Sequence, residues 1–169
     1  ANNGSGVRGD LKAVYRAILT DIEARSDTNL TVADFGKLRE PVLRLTSWAR
    51  AFGVNSPSDV WAIGDTSSPI TRLGQSPGRS PSVFNFFRPG YTPPNTTLAT
   101  AGLVAPEFQV TNEPSVIAYI NYMQTLISAG TGDVRADYTS IMTRAADSAA
   151  LVAEINIILA AGQLSAATV

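Results

Sequence analysis

The distribution of proline limits the fold of this 169-residue chain more than any other feature of the sequence. Nine of the ten prolines lie between Pro57 and Pro114. Because proline removes a backbone donor and clashes with the preceding helical turn, this part of the chain cannot contain a long uninterrupted helix. The sequence therefore predicts a long loop region over residues 54–110, with helical segments on both sides.

Two helices are expected before the loop region, as a helical pair within residues 10–53. Asp10 is a typical helix cap, and the apolar stripe after it continues to about Arg25. Pro41 suits the first turn of the second helix, and Gly53 stands where a left-handed residue ends a helix. The stripes consist of Leu11, Val14, Tyr15, Ile18, Leu19 and Ile22, and of Val42, Leu45, Trp48, Ala49 and Phe52.

Three further helices are predicted after the loop region, within residues 111–169. Apolar stripes, capping residues and glycines place them at about 111–130, 134–146 and 147–162. The expected fold class is therefore all-α. We expect an irregular bundle of about five helices, with a long ordered loop rich in proline, glycine and aromatic residues, as a single domain over residues 1–169.

The loop region is too apolar to be a free linker. Phenylalanine prefers the protein interior, so we expect at least two of Phe84, Phe86 and Phe87 to be buried against the helices that begin near Pro41 and Pro114. The alternative is an exposed aromatic surface, which could stack on sugars or bind a protein partner.

Six residues in and after this loop are candidates for binding. Aromatic rings and arginine dominate binding energy at interfaces. Arg88 is also expected to reach Glu107, or a helix C-terminal carbonyl, across the base of the loop. The candidate binding residues are Phe84, Asn85, Phe87, Arg88, Tyr91 and Glu107.

No catalytic residue is assigned. Glu107 and Glu113 could do acid–base work if one of them were buried, but a structural role is favoured because the chain has no histidine to shuttle a proton. Oxygen ligands for calcium could come from one of two groups, but neither has the ligand count or the loop glycine of an EF-hand. We predict no metal and no cofactor. The two groups are Asp27, Asn29 and Asp34, and Asp133 and Asp137.

Composition excludes several classes of function. The absence of cysteine and histidine removes disulfides, thiolate nucleophiles, Ser-His-Asp triads and the commonest zinc ligands. A net charge of −1 without a basic stripe argues against nucleic acid as a partner. No apolar run approaches the ~20 residues that a membrane span needs. Charged residues are only 16% of the chain, which is more typical of an exported protein, periplasmic or extracellular.

Several blocks of the sequence resemble one protein family. They occur in the family's order, cover almost the whole chain, and are similar to the C-terminal part of the large bacterial family called "domain of unknown function 1800". The resemblance implies a largely helical protein that is longer than this chain and often exported, and it carries over no activity and no catalytic residue. The blocks are residues 82–91 (SVFNFFRPGY), 103–109 (LVAPEFQ) and 111–113 (TNE), with 6–11 (GVRGDL) before them and 161–165 (AGQLS) after them.

Both ends of the chain are expected to be cuts in a longer protein. The sequence does not begin with methionine, and Ser165 signals a helix that has no room to finish. An incomplete segment should expose an apolar strip on its first or last helices. The expected partners are therefore the rest of the full-length chain and, through exposed apolar faces, other copies of the protein.

Two functions remain in view. The preferred one is a non-catalytic structural or interaction segment of a larger exported bacterial protein, with a cell-envelope or polysaccharide partner. The other is an enzyme whose active site lies mainly in an N-terminal region outside this sequence, to which loop residues such as Arg88 and Glu107 contribute. A cleft that joins Arg88, Glu107 and Glu113 would favour the enzyme.

Overall fold

The structure is a computed structural model that describes residues 2–32 and 35–168. The chain divides into two compact units, one ending at Lys37 and the other beginning at Leu38. Within the described residues the regular secondary structure is helical, and β-pairing is limited to isolated bridges. The all-α prediction is confirmed. The single domain stays a prediction, because two compact units can belong to one folding unit or to two.

The first unit contains two short helices where the sequence predicts one. Asp10 caps the first as expected, since its carboxylate accepts a hydrogen bond from the Ala13 N–H at 3.1 Å. Asp21 interrupts the predicted helix because it takes an extended conformation and accepts from the Glu23 N–H, which caps a second helix. None of the residues of these helices is buried. The elements are α1 (Leu11–Thr20), α2 (Ile22–Arg25) and a 3-10 turn (Asp27–Thr31).

Two helices of the second unit, α3 (Pro41–Ala51) and α5 (Glu113–Ala129), agree in position with the sequence pattern. Pro41 stands in the first turn of α3, and Gly53 follows it with a left-handed φ of +52°. Asn112 and Ser115 form a reciprocal capping box at the start of α5. The helices are α3 (Pro41–Ala51), α4 (Thr97–Thr100), α5 (Glu113–Ala129) and α6 (Ser148–Ala160), with 3-10 turns at Pro106–Val110 and Met142–Arg144.

The core of the second unit combines residues of α3 and α5 with side chains from outside these helices. Leu73 comes from the loop region and is 0% exposed. Phe52, just after α3, packs on the Tyr138 ring with the centroids 5.2 Å apart. The loop region thus supplies part of the core rather than only covering it. The buried cluster consists of Leu45, Trp48, Phe52, Leu73, Tyr122, Met123 and Leu126.

A single side chain ties the loop around Leu73 to the start of α3. Gln75 is buried, and its Oε1 accepts a hydrogen bond from the Val42 N–H at 3.1 Å. Its amide donates to Glu40, which itself forms no side-chain cap. Because the first N–H groups of a helix have no partner within it, Gln75 satisfies one of them from a distant part of the chain.

The helix predicted over residues 134–146 is wrong. Its first residues pair with the residues after α3, since Asn55 and Arg135 exchange two backbone hydrogen bonds of 3.0 Å, and its remainder forms turns that include the 3-10 turn Met142–Arg144. The Asp137 N–H donates to the Phe52 carbonyl at 2.8 Å, and the Tyr138 hydroxyl accepts from the indole N–H of Trp48 at 3.2 Å. Tertiary contacts therefore use the apolar residues that had suggested a helical stripe.

The last helix, α6, begins where the sequence predicts it. Asp147 accepts hydrogen bonds from the Ala149 and Ala150 N–H groups at 3.0 and 3.1 Å. Ala161 ends the helix in a left-handed conformation, one residue before Gly162. Across the described residues, the helices lack the combination of length and apolarity that crossing a membrane requires.

Candidate functional site

The aromatic loop, residues 82–91, is the strongest sequence-predicted site, and a tight turn shapes its tip. The Asn85 N–H donates to the Ser82 carbonyl at 3.2 Å, and Asn85 has a left-handed φ of +66°. The Phe84 N–H donates to the Ser82 hydroxyl at 3.2 Å. This turn places Val83 and Phe84 at the tip, where they are 94% and 59% exposed.

The prediction that at least two of the loop's phenylalanines are buried is wrong. Phe84 is exposed, and Phe86 and Phe87 are only half-buried. The core instead takes Leu73 from the loop region, a residue that the sequence pattern did not single out, while the turn between Ser82 and Asn85 places Phe84 at the exposed tip.

The base of the aromatic loop is held by a second stretch, the return segment (residues 103–110). The Arg88 N–H donates to the Gln109 side-chain oxygen at 2.7 Å. The Ala105 N–H donates to the Tyr91 carbonyl at 2.8 Å. These bonds fix both ends of the loop's second half, so its conformation does not depend on burying the phenylalanines.

The predicted contact between Arg88 and Glu107 does not form. In the part of the chain that the structure describes, the one ion pair joins Arg79 to Asp65 at 3.2 Å. Arg88 meets the return segment through its backbone, which leaves its exposed side chain out of the contact. The sequence missed Gln109 because a neutral side chain that binds a backbone N–H has no charge pattern to reveal it.

The candidate residues lie together on this loop and the return segment, with different exposure. Three of them present an aromatic ring, an amide and a guanidinium to solvent, a set that can stack on a planar face and donate hydrogen bonds. Phe84, Asn85 and Arg88 are exposed, and Phe87, Tyr91 and Glu107 are half-buried.

The aromatic loop and the return segment contain two of the sequence blocks that resemble a known family. A family model described as "Protein of unknown function (DUF1800)" matches residues 2–169. The chain belongs to the DUF1800 family. Searches of curated proteins and of solved structures gave no match to this DUF1800 chain.

A second polar cluster of the DUF1800 chain surrounds Asp133. The buried Ser56 hydroxyl lies 3.0 Å from both carboxylate oxygens of Asp133, and the Ser58 N–H donates to the same carboxylate at 2.8 Å. The Ser56 oxygen accepts in turn from the Trp61 N–H at 3.2 Å. Trp61 has a left-handed φ of +53°, which is unfavourable for a bulky side chain, and Asp59 in the same turn has a φ of +58°. The cluster holds this strained turn in place.

Asp133 and Asp137 form one of the two groups of candidate calcium ligands. Both carboxylates accept hydrogen bonds from the protein. Asp137 accepts from the Thr139 N–H at 2.8 Å. Within the described residues, three or more potential acidic ligands do not come together at one place. In the other candidate group, Asp27 and Asn29 lie in the 3-10 turn of the first unit. Asp34 lies outside the described residues.

Replacing Asp133 with asparagine is expected to reduce the amount of stability that the protein loses on acidification. Hydrogen bonds from the side chain and N–H of Ser58, and from Ser56, hold the pKa of Asp133 below its usual value of 3.8. The charged carboxylate therefore contributes stability above pH 3.8, and this contribution is lost as the pH falls through the folded-state pKa. The variant should be less stable at neutral pH and lose less on acidification, which thermal melts in a pH series would measure.

The Ser56→Ala variant provides the control for this prediction. If Ser56 acts through the carboxylate, it should destabilise the wild-type chain more than it destabilises the Asp133→Asn background. Parallel pH–stability curves for wild type and Asp133→Asn would contradict the role assigned to Asp133.

Proposed function

We propose that this chain is a non-catalytic interaction segment of a larger exported bacterial protein, and that the aromatic loop is its contact surface for a cell-envelope polysaccharide. The observation that carries the proposal is the exposure of Phe84, 59%, at the tip of a turn that is held by hydrogen bonds. A single exposed apolar residue is ordinary, but here Val83 beside it is 94% exposed. Two adjacent exposed apolar side chains on an ordered turn support a contact role for this tip.

The chemistry of the loop suits a sugar. The face of an aromatic ring can cover the apolar face of a pyranose, while amide and guanidinium groups donate hydrogen bonds to its hydroxyls. Asn85 and Arg88 supply these groups from within four residues of Phe84. Since the Arg88 backbone makes the contact to Gln109, the guanidinium is available to a ligand.

The loop is also suited to binding because its conformation is set before a partner arrives. Backbone bonds at Asn85, Arg88 and Tyr91 fix the chain around the aromatic residues. A surface whose backbone is already ordered loses less conformational entropy when it binds. This favours a contact role for the loop over a role as a flexible connection.

The enzyme hypothesis has no specific observation in its favour. Arg88 and Glu113 are exposed, and Glu107 lies in the 3-10 turn of the return segment. None of the three lines the cavities formed around α3 and α5. An enzyme whose active site lies mainly in another part of the protein stays a prediction.

Phe84→Ala is expected to abolish binding to the cell envelope while leaving stability nearly unchanged. The exposed ring contributes little to the core, so the free energy of unfolding should fall by less than about 1 kcal/mol. Binding would be measured by co-sedimentation of the purified chain with peptidoglycan sacculi, and stability by urea denaturation.

Ile70→Ala is the matched control, because Ile70 is an exposed apolar residue of the same unit, 73% exposed, outside the aromatic loop. It should leave co-sedimentation unchanged. The proposal fails if the wild-type chain does not sediment with sacculi, or if Phe84→Ala sediments as well as Ile70→Ala. A loss of several kcal/mol in Phe84→Ala would instead restore the anchoring role that the sequence predicted.

A further inference from the structure

A groove between α3 and α5 is a feature of the second unit that the proposed function does not use. Its volume is about 650 Å³, and Leu159 of α6 closes one side of it. Cavities that hold small organic ligands have volumes of roughly 300–1,000 Å³. The groove is distinct from the aromatic loop, since residues 82–91 do not line it.

The walls of the groove are mainly apolar. Trp48 of α3 faces Met123 and Ile127 of α5, and the Leu159 side chain completes the apolar lining. Ile127 is 46% exposed and Leu159 is half-buried, so part of this surface is in contact with water. An aliphatic or aromatic body that filled the groove would remove that surface from water, at a gain of about 25 cal/mol per Å².

The charged residues of the groove are of one sign. Arg39 and Arg44 line it, and the lining residues include neither aspartate nor glutamate. In the described part of the chain neither arginine forms an ion pair, and the nearest acid in sequence, Glu40, is engaged by Gln75. The lining of the groove therefore combines an apolar wall with two positive charges.

The Arg44 side chain is held against an aromatic ring. Its guanidinium carbon lies 4.3 Å from the centre of the Tyr119 ring, so the side chain is fixed over the aromatic face. Its Nε atom is buried and has no hydrogen-bond partner among the described residues. Buried N–H groups normally have a partner, and a guanidinium is matched best by a carboxylate or a phosphate.

We infer that this groove binds a small amphiphile with one anionic head group, a carboxylate or a phosphate, at Arg44 and an aliphatic body against Trp48, Met123 and Ile127. The two arginines supply the charge complementarity, and the apolar wall supplies the affinity for the tail. The groove is lined by 11 residues, whereas specific protein interfaces engage about 20–30 residues on each side. A small molecule therefore fits the groove better than a protein partner does.

Isothermal titration calorimetry with dodecanoate, below its micelle-forming concentration, tests the inference on the whole 169-residue chain. We expect saturable binding of one molecule, at least about tenfold tighter than binding of the neutral analogue dodecanol. Acetate should not bind measurably, because it lacks the tail. Dodecyl phosphate should also bind, and the ranking of the two anions identifies the preferred head group.

Variants localise the site. Arg44→Gln should weaken dodecanoate binding by about tenfold or more, whereas Arg50→Gln should change it by less than about twofold. Arg50 is the matched control because it lies exposed in the last turn of the same helix and does not line the groove. If Arg44→Gln fails to fold, Arg39→Gln tests the same charge from an exposed position.

The fluorescence of Trp48 tests whether the ligand binds in the groove itself. In a Trp61→Phe chain Trp48 is the single tryptophan, and ligand beside it should shift its emission with the same concentration dependence as the calorimetric signal. The inference is overturned if dodecanoate does not bind, if dodecanol binds equally well, or if Arg44→Gln and Arg50→Gln are indistinguishable. Saturation by an acidic amphipathic peptide, without binding of either amphiphile, would overturn it in favour of a protein partner.

Discussion

Replacing Leu73 with alanine is expected to lower the free energy of unfolding by about 3–5 kcal/mol. The Leu73 side chain is 0% exposed and packs in the cluster that also contains Trp48 and Met123. Truncation removes the transfer free energy of the side chain and leaves a cavity that the helices around it cannot fully close. Urea denaturation followed by circular dichroism would measure the change.

Two variants serve as controls for this result. Leu43→Ala makes the same chemical change on α3 at a side chain that is 49% exposed, and it should cost less than about 1 kcal/mol. Leu73→Met nearly conserves volume and should cost less than about 1.5 kcal/mol. If Leu73→Ala were no worse than Leu43→Ala, the loop region would not be part of the core.

Gly130→Ala should destabilise the second unit by roughly 2–4 kcal/mol. Gly130 ends α5 with a φ of +71°, and its N–H donates to the Leu126 carbonyl. A Cβ at this position would overlap the Val134 carbonyl oxygen and lie 2.8 Å from the Arg135 Cγ. Because the carbonyl belongs to the backbone, relief requires moving the segment that pairs with Asn55.

Gly132→Ala separates this clash from the cost of the backbone conformation. Gly132 also has a positive φ, +57°, but a Cβ there would meet nothing within 4 Å. Its replacement should therefore cost only the left-handed conformation, about 1 kcal/mol. Equal melting temperatures for the two variants would show that residues 130–135 do not approach each other as closely as the structure has them.

Much of the helical framework could be predicted because its signals are local. The apolar stripe of α3 after Pro41, the capping residues Asn112 and Asp147, and Gly53 all act within a few residues of themselves. Such signals depend on backbone geometry rather than on tertiary contacts. The family model that matches residues 2–169 agrees with the resemblance indicated by the sequence blocks.

The predictions that were wrong concern segments whose structure is determined by contacts with distant residues. Residues 134–146 have a helical pattern, but pairing of Arg135 with Asn55 and the contacts of Tyr138 outweigh that weak local preference. Leu73 likewise lies two residues before Gln75, whose side chain binds the start of α3 across 33 residues of sequence. Neither contact has a spacing that a sequence pattern could reveal.

The candidate site was predicted as a location but not in its details. The aromatic loop is ordered at its tip and base by backbone hydrogen bonds, as at Asn85 and Tyr91. The exposure of Phe84 and the contact of Arg88 with Gln109 differ from the expected burial and ion pair. Composition identifies which side chains can bind, while the packing of other residues determines which of them reach solvent.

The hydrogen bond from Val42 to Gln75 affects the order in which the chain can fold during synthesis. Val42 leaves the ribosome 33 residues ahead of its partner, so α3 emerges without the group that caps its first turn. Met123 and Leu126, which cover α3 in the finished core, emerge later still. The nascent chain therefore carries Trp48 and Leu45 without their α5 neighbours while residues 49–122 are made, and it acquires a stable second unit only once α5 has been made.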